Sequence, residues 1–273
     1  MNKLIGLAKN APGWPSVLKE LGYSVDYIEP SFRNGDGKKV NPDILFSSNK
    51  LRHCLIVECK SHTIEEEQLI RYSTITKEGL TDKTKLKEPK MLTFDGCLAM
   101  NEDLNNLQKK LINEKLGWPL LFFSNNSISK ENTFKNTHLE KIFKKPILTG
   151  NNPPTHYFPF SEKDDHAIIA MSIFQQIIST VIKDRIVEFD SELILSKSHP
   201  FWDSFDASKK GEYKVKVDVI IGEFQKKDLS EYLEKIKGHN TWRITKPLDK
   251  LAKECNRIVD DLSQQTRLPV AKK

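Results

Sequence analysis

Two short runs of the chain hold residue types suited to acid–base and metal chemistry: Asn41-Pro-Asp-Ile-Leu-Phe and Leu55-Ile-Val-Glu-Cys-Lys60. If the runs are adjacent antiparallel strands, Asp43 lies on one and Glu58 on the other, and the two-residue period of the pleat puts Glu58 and Lys60 on the same face. Two carboxylates and an ammonium then converge at one edge of a sheet. Leaving such charges at the end of so apolar a strand is costly unless something compensates them, and a divalent cation would do so. The carboxylates of Asp43 and Glu58 with a backbone carbonyl, that of Cys59, form a hard oxygen set suited to Mg²⁺ (or Mn²⁺), water completing the octahedron. Such an ion neutralises a phosphodiester and acidifies an attacking water. Lys60 would position that water or stabilise the extra charge of the transition state. The residue types fit metal-assisted phosphodiester hydrolysis.

The elements that must position these groups are legible as an alternation of helix and strand signals in the first half. Residues 16–21 follow Pro15 and end at Gly22, as a short helix does. Residues 23–28, 39–47 and 52–59 read as strands, the last nearly continuously apolar, as expected of a strand buried on both faces. Thr63 with Glu66 forms a capping-box signal that opens a helix over 64–74. A Lys-rich loop over 77–90 follows, then a strand at 91–100, a helix at 103–116 and a strand at 118–123. The expected fold class is α/β, a mixed sheet with helices on its faces.

With these residues in place, the sequence resembles the PD-(D/E)XK nuclease superfamily: Pro42-Asp43, a fourteen-residue gap, then Glu58-Cys59-Lys60. Gln68-Leu-Ile-Arg-Tyr72 on the following helix matches the Q-h-x-x-Y motif of RecB-type members, and the i, i+4 spacing puts Gln68 and Tyr72 on one helix face. The resemblance covers residues 14–125. It implies a restriction-endonuclease-like sheet, DNA as the partner, Gln68 beside the metal site and Tyr72 near the nucleic-acid strand. Many members add an acid from the first helix, and Glu20 is the candidate here, though it lies late in its helix. Read without the motif, Asp43 is a strand-entry residue, Glu58 and Lys60 a solvated strand end, and Gln68 and Tyr72 ordinary helix positions. Glu65, Glu66 and Glu67 suit the first helical turn, where acids complement the dipole.

The chain has 273 residues, with 43 Lys and Arg against 37 Asp and Glu and a formal net charge of +6. This is the composition of a globular protein and excludes disorder and collagen. The excess sits in residues 1–150, which carry 23 basic and 18 acidic residues; 151–273 carry 20 and 19. Lys83, Lys85 and Lys87 in the 77–90 loop are candidates for a phosphate backbone, or else a solvated loop. The break expected at Gly150-Asn-Asn-Pro-Pro154 separates a nuclease-like domain, 1–149, from a C-terminal α+β region, 150–273. That region reads as an apolar helix at 165–184, strands in which Val187, Phe189, Leu193 and Leu195, and then Tyr213, Val215, Val217 and Val219, share faces, and a helix at 247–264. His199-Pro-Phe-Trp-Asp-Ser-Phe205 is aromatic enough for base stacking or for packing on a core. Its role is expected to be recognition, dimerisation or a partner subunit.

Four dispersed cysteines form no zinc or disulfide pattern. The apolar stretch 167–182 is too interrupted to span a membrane, and residues 1–14 lack a secretory signal, so a cytoplasmic location without membrane attachment is expected. The functional expectation is a Mg²⁺-dependent deoxyribonuclease, an endonuclease of a restriction or phage-defence system acting as a homodimer or with a partner subunit. The alternative is an inactive nucleic-acid-binding or assembly subunit on the same fold.

Overall fold

The uninterrupted apolar run Cys54-Leu-Ile-Val forms the buried middle of a central strand in a computed structural model that describes residues 1–60, 65–101, 104–150 and 152–267. The chain divides into two compact units. The first comprises Met1–Tyr157 with Ser204–Asp206, the second Phe158–Asp203 with the chain from Ala207 onward. The division falls past the turn-rich Gly150–Pro154 segment, of which Asn151 lies outside the described residues.

In the first unit the order is α1 (Asn2–Leu7), α2 (Val17–Glu20), β1 (Tyr23–Ile28), β2 (Phe32–Arg33), β3 (Lys39–Val40), β4 (Ile44–Ser48), β5 (His53–Lys60), α3 (Glu66–Ser73), α4 (Lys77–Thr81), β6 (Thr93–Met100), α5 (Asn106–Lys115), β7 (Leu120–Phe123), β8 (Ser127–Glu131), α6 (Thr137–Ile142) and β9 (Ile147–Leu148). Among the described residues, seven strands form one sheet in the order β1-β4-β5-β6-β7-β8-β9. β5, β6 and β7 run parallel, joined through helices as parallel strands must be, and the remaining neighbours are antiparallel. The expected mixed α/β sheet with flanking helices is therefore what the chain forms.

One face of the sheet carries Leu45, Cys54 and Ile56, packed against Tyr72, Ile75 and Leu80 of the α3–α4 segment. Further along, Leu98, Met100 and Leu120 pack against Leu69 and Ile112. Gly96 in β6 serves close packing: a Cβ there would stand 2.1 Å from the Trp118 ring. A buried polar chain fastens the far end of the sheet, Tyr23 hydroxyl to His53 Nδ1 at 2.7 Å and His53 Nε2 to Asp95 at 3.3 Å. Burial, first, and then the nearby Asp95 charge hold the Tyr23 hydroxyl well above its ordinary range.

Several expected elements differ. The strand at 39–47 is two: β3 pairs back on β2, and β4 enters the sheet. Pro42 lies between them, and a residue with no N–H breaks the ladder. The 77–90 loop contains α4, because Thr76 caps it by accepting the Gly79 N–H and Leu80 is fully buried. The α3 helix starts at Glu66 with Glu65 as its N-cap; Thr63, the expected cap, lies outside the described residues, as does Asp103 at the expected start of α5.

The second unit holds α7 (His166–Gln176), continued by a π-helical stretch Ile177–Ile182, β10 (Glu188–Asp190), α8 (Ser191–Ser198), α9 (Ala207–Gln225), β11 (Leu233–Lys235), β12 (Thr241–Ile244) and α10 (Leu248–Arg267). The described strands form a sheet in the order β10-β12-β11. Both strands expected here by alternation are largely helical. In α9 the buried residues are Tyr213, Val217, Ile220 and Ile221, at helical spacing, while Val215 is 65% and Val219 48% exposed. In the first, Asp190 caps α8 by accepting the Leu193 N–H, so only Glu188–Asp190 remains extended. Packing at a 3.6 period overrides the β-propensity of the valines. The amphipathic last helix has the expected stripe, with Leu251, Cys255, Ile258 and Leu262 buried.

Candidate metal and phosphodiester site

The β4–β5 register pairs Ile44 with Val57 and Leu45 with Ile56. Continued beyond the end of β4, it sets Asp43 opposite Glu58 and Pro42 opposite Cys59. Residues directly opposite share a face, so the two carboxylates meet on the side covered by α3. The Cys59 N–H, which a ladder would direct to residue 42, instead donates to Asp43 Oδ2 at 2.5 Å. Pro42 has no N–H to return to the Cys59 carbonyl, which points to the same strand edge as its own N–H. Pro42 therefore offers that carbonyl no rung of the ladder.

Glu58 is 5% exposed and is held from several sides. Its Oε1 accepts the Gln68 amide at 2.7 Å and lies 2.7 Å from Lys60 Nζ, and its Oε2 accepts the Tyr72 hydroxyl at 2.8 Å. Lys60 Nζ also donates to Gln68 Oε1 at 2.7 Å. The Tyr72 hydroxyl further contacts the Asn41 carbonyl at 3.1 Å and accepts from Gln68 at 3.2 Å. Gln68 thus bridges acid and ammonium with its two ends, and Tyr72 ties Glu58 to the strand entry. The Tyr72 ring stacks on Trp118 at a centroid distance of 5.6 Å, which fixes the ring that carries the hydroxyl.

Burial, and after it the neighbouring Glu58 charge, raises the Asp43 carboxyl to about 6, against the opposing pull of the Cys59 N–H and Lys60. Burial, then Glu58, holds the Tyr72 hydroxyl well above its ordinary range, so it remains a donor. Burial likewise pushes the Cys59 thiol up to about 12, leaving it neutral. The donor chemistry fits a hard divalent cation: two neighbouring carboxylates whose repulsion an ion would relieve, with the Cys59 carbonyl as a further oxygen that Pro42 cannot pair. Among the described residues no three His, Cys, Asp or Glu side chains gather as a metal-holding group, so water would complete any coordination here.

Asp43, Glu58, Lys60, Gln68 and Tyr72 are brought together. Glu20 is not: it is exposed at the end of α2 and accepts from Ser16 at 3.2 Å. The lysines are not either. Lys85 and Lys87 donate their backbone N–H groups to Asp26 and Asn49, and Thr84 contacts Cys54. These partners stand where β5 begins, four residues and about 13 Å of strand from Glu58. Lys83 is paired with Asp206 at 2.9 Å and Lys85 lies over the Tyr27 ring. These three lysines are thus not gathered around the acid pair. In the second unit His199 and Trp202 are buried, and the Trp202 indole donates to Glu192 at 2.6 Å, which removes it from base stacking. Cys54, Cys97 and Cys255 are buried free thiols, as packing residues are. Asn41 and Trp118 were not among the expected site residues. A glycine inside a strand, Gly96, is the sequence signal that another group approaches closely.

The fold and site define a mixed α/β domain with a buried acid pair, a lysine and a hydrogen-bonding helix at one sheet edge. Residues 1–158 match the MJECL32 domain, and the chain belongs to that family. Residues 162–271 match a domain of unknown function, DUF8601. The uncharacterized protein MJECL32 of Methanocaldococcus jannaschii is 25% identical over 212 residues, 71% of this chain and 46% of that protein. The chain therefore spans about half the length of the curated relative it matches. No solved structure matches the chain. Among the described residues no helix is long and apolar enough to cross a membrane.

Proposed function

We propose that the first unit is a metal-dependent deoxyribonuclease of the PD-(D/E)XK kind, hydrolysing phosphodiester bonds as an endonuclease. The observation that carries this reading is the hydrogen-bonded set of Glu58, Lys60, Gln68 and Tyr72, with Asp43 held to the Cys59 N–H beside it, at the junction of β4, β5 and α3. Mg²⁺ or Mn²⁺, held by Asp43, Glu58 and the Cys59 carbonyl, would supply charge neutralisation at the phosphate and a more acidic water. Lys60 orients the attacking water and balances charge developing on the phosphate. Gln68 holds the Lys60 ammonium in place, and Tyr72 holds the Glu58 carboxylate. The second unit then serves target recognition, dimerisation or a partner subunit, and a restriction or defence role in the cytoplasm follows from this reading by analogy of fold.

The experiment is plasmid incubation with Mg²⁺ or Mn²⁺, comparing wild type with Asp43→Ala and Lys60→Ala. Nicking by wild type alone supports the reading; equal nicking by all three, or none by wild type with either cation, removes it. A second reading, an inactive nucleic-acid-binding subunit, is favoured by one observation: both Glu58 oxygens already have protein donors. Retained DNA binding without cleavage under any cation would establish it.

A further inference from the structure

Beside the acid pair, a small cavity opens at the carboxyl ends of the three parallel strands, where Lys60 ends β5, Met100 ends β6 and Phe123 ends β7. Ligands of open α/β sheets bind off these strand ends. The charged side chains lining the cavity are Lys60 and, from α1, Lys3; no carboxylate among the described residues lines it. Asn101 adds an amide, and Leu4 and Met100 an apolar wall.

The two ammonium groups differ in their surroundings. Lys60 is engaged by Glu58 and Gln68. Lys3 is half-buried and forms no ion pair with any described residue. Its place is set by packing. Leu4, Ile5 and Leu7 of α1 are buried, the Trp14 indole donates to the Lys3 carbonyl at 2.9 Å, and Gly6 admits the Trp14 ring, from which a Cβ would stand 2.7 Å. Lys3 thus stands beside Met1 and the Glu58-paired Lys60 in a cavity whose described lining holds no carboxylate, and its half-buried ammonium is a charge that an anion would balance.

We propose that Lys3 is a phosphate-contact residue, and that the cavity receives a backbone phosphate of a nucleic-acid strand next to the phosphodiester presented to Asp43, Glu58 and Lys60. The inference rests on the nuclease reading for its substrate class, but its test does not need cleavage. A short fluorescein-labelled DNA duplex is titrated with the full chain in EDTA, over a series of salt concentrations, and binding is followed by anisotropy. Lys3→Ala is expected to weaken binding on the order of tenfold and to lower the slope of log affinity against log salt by about one, the signature of one lost phosphate contact. Lys3→Arg is expected to retain the wild-type slope. Unchanged affinity and slope in Lys3→Ala, or no binding of the duplex by wild type, overturns the inference. If Lys3→Ala lowers the slope while wild type leaves plasmid uncut with both Mg²⁺ and Mn²⁺, the phosphate contact stands and the nuclease reading falls. If wild type cleaves and Lys3→Ala binds like wild type, the reverse holds. Thermal melting of each variant separates a lost contact from a lost fold.

Discussion

Asp43 and Glu58 face each other across the end of the β4–β5 ladder, and the same Glu58 oxygen that accepts the Gln68 amide lies 2.7 Å from the Lys60 ammonium. The pair is buried, with the Lys60 ammonium and the amino terminus as the cations acting on Asp43, so its protonation is linked to folding and to any cation it would take up.

The Asp43 carboxyl rises from 3.8 to about 6 in the folded chain. The folded state keeps its proton where the unfolded chain has lost it, so the stability this group contributes is complete below about pH 4 and falls as pH rises to 6, by on the order of 3 kcal/mol. Asp43→Asn is expected to flatten that fall in urea titrations between pH 4 and 7.5. Added Mg²⁺ should raise the wild-type melting temperature at pH 7.5 and much less at pH 5, because protons compete for the carboxylate. A variant with the wild-type pH slope would show that another group is responsible.

Lys60→Ala removes the ammonium from the end of β5, where the side chain is 19% exposed, and leaves the apolar core residues in place. Cleavage is expected to drop by about 10²–10³-fold, the range for losing one stabiliser of transition-state charge. Affinity for DNA in EDTA should change far less. Steady-state cleavage beside equilibrium binding tells the two apart.

Tyr72→Phe keeps the stack on Trp118 and deletes the hydroxyl that bonds Glu58 and the Asn41 carbonyl. A stability loss of about 1–2 kcal/mol is expected from the hydrogen bonds. Cleavage or metal affinity should fall about 10–100-fold, as when a partner that orients a ligand is removed. Full activity in a melted-in, correctly folded variant would assign Tyr72 to packing alone.

Gly96→Ala would drive a methyl group into the Trp118 ring. Overpacking of this kind costs about 1–3 kcal/mol or more, and here the displaced ring is the one that backs Tyr72. The expected outcome is a lowered melting temperature together with loss of cleavage, read by circular dichroism and plasmid nicking on the same preparation.

Glu20→Ala should leave both stability and cleavage where they were, within about 0.5 kcal/mol, because Glu20 is exposed and bonded to Ser16. A loss of metal-dependent cleavage in this variant would return Glu20 to the site.

The central strand, the helix after it and the residues of the acid cluster were legible because each signal is local: an apolar run, an i, i+4 pair, a Pro-Asp entry. Glu20 was offered by the resemblance alone and the lysines by their proximity along the chain, and neither consideration carries proximity in space. Lys85 and Lys87 follow the Gln68–Tyr72 helix directly, yet the chain has by then turned back to the start of β5, where Asp26 and Asn49 hold it. In the second unit Val215, Val217 and Val219 alternate as a strand would, but the residues that decide the outcome, Ile220 and Ile221, lie outside that alternation and complete a helical stripe with Tyr213 and Val217. Trp118 reaches Tyr72 across the sheet, a relationship no local pattern contains.

Pro42 acts through a hydrogen it does not have. Any other amino acid at that position would bring an amide able to close one more rung against Cys59 and to carry the β4–β5 ladder past the acid pair. The imino ring thus sets where the sheet stops, and by stopping it there leaves Asp43 at a strand entry, its carboxylate turned to the Cys59 N–H, rather than inside a continuous ladder.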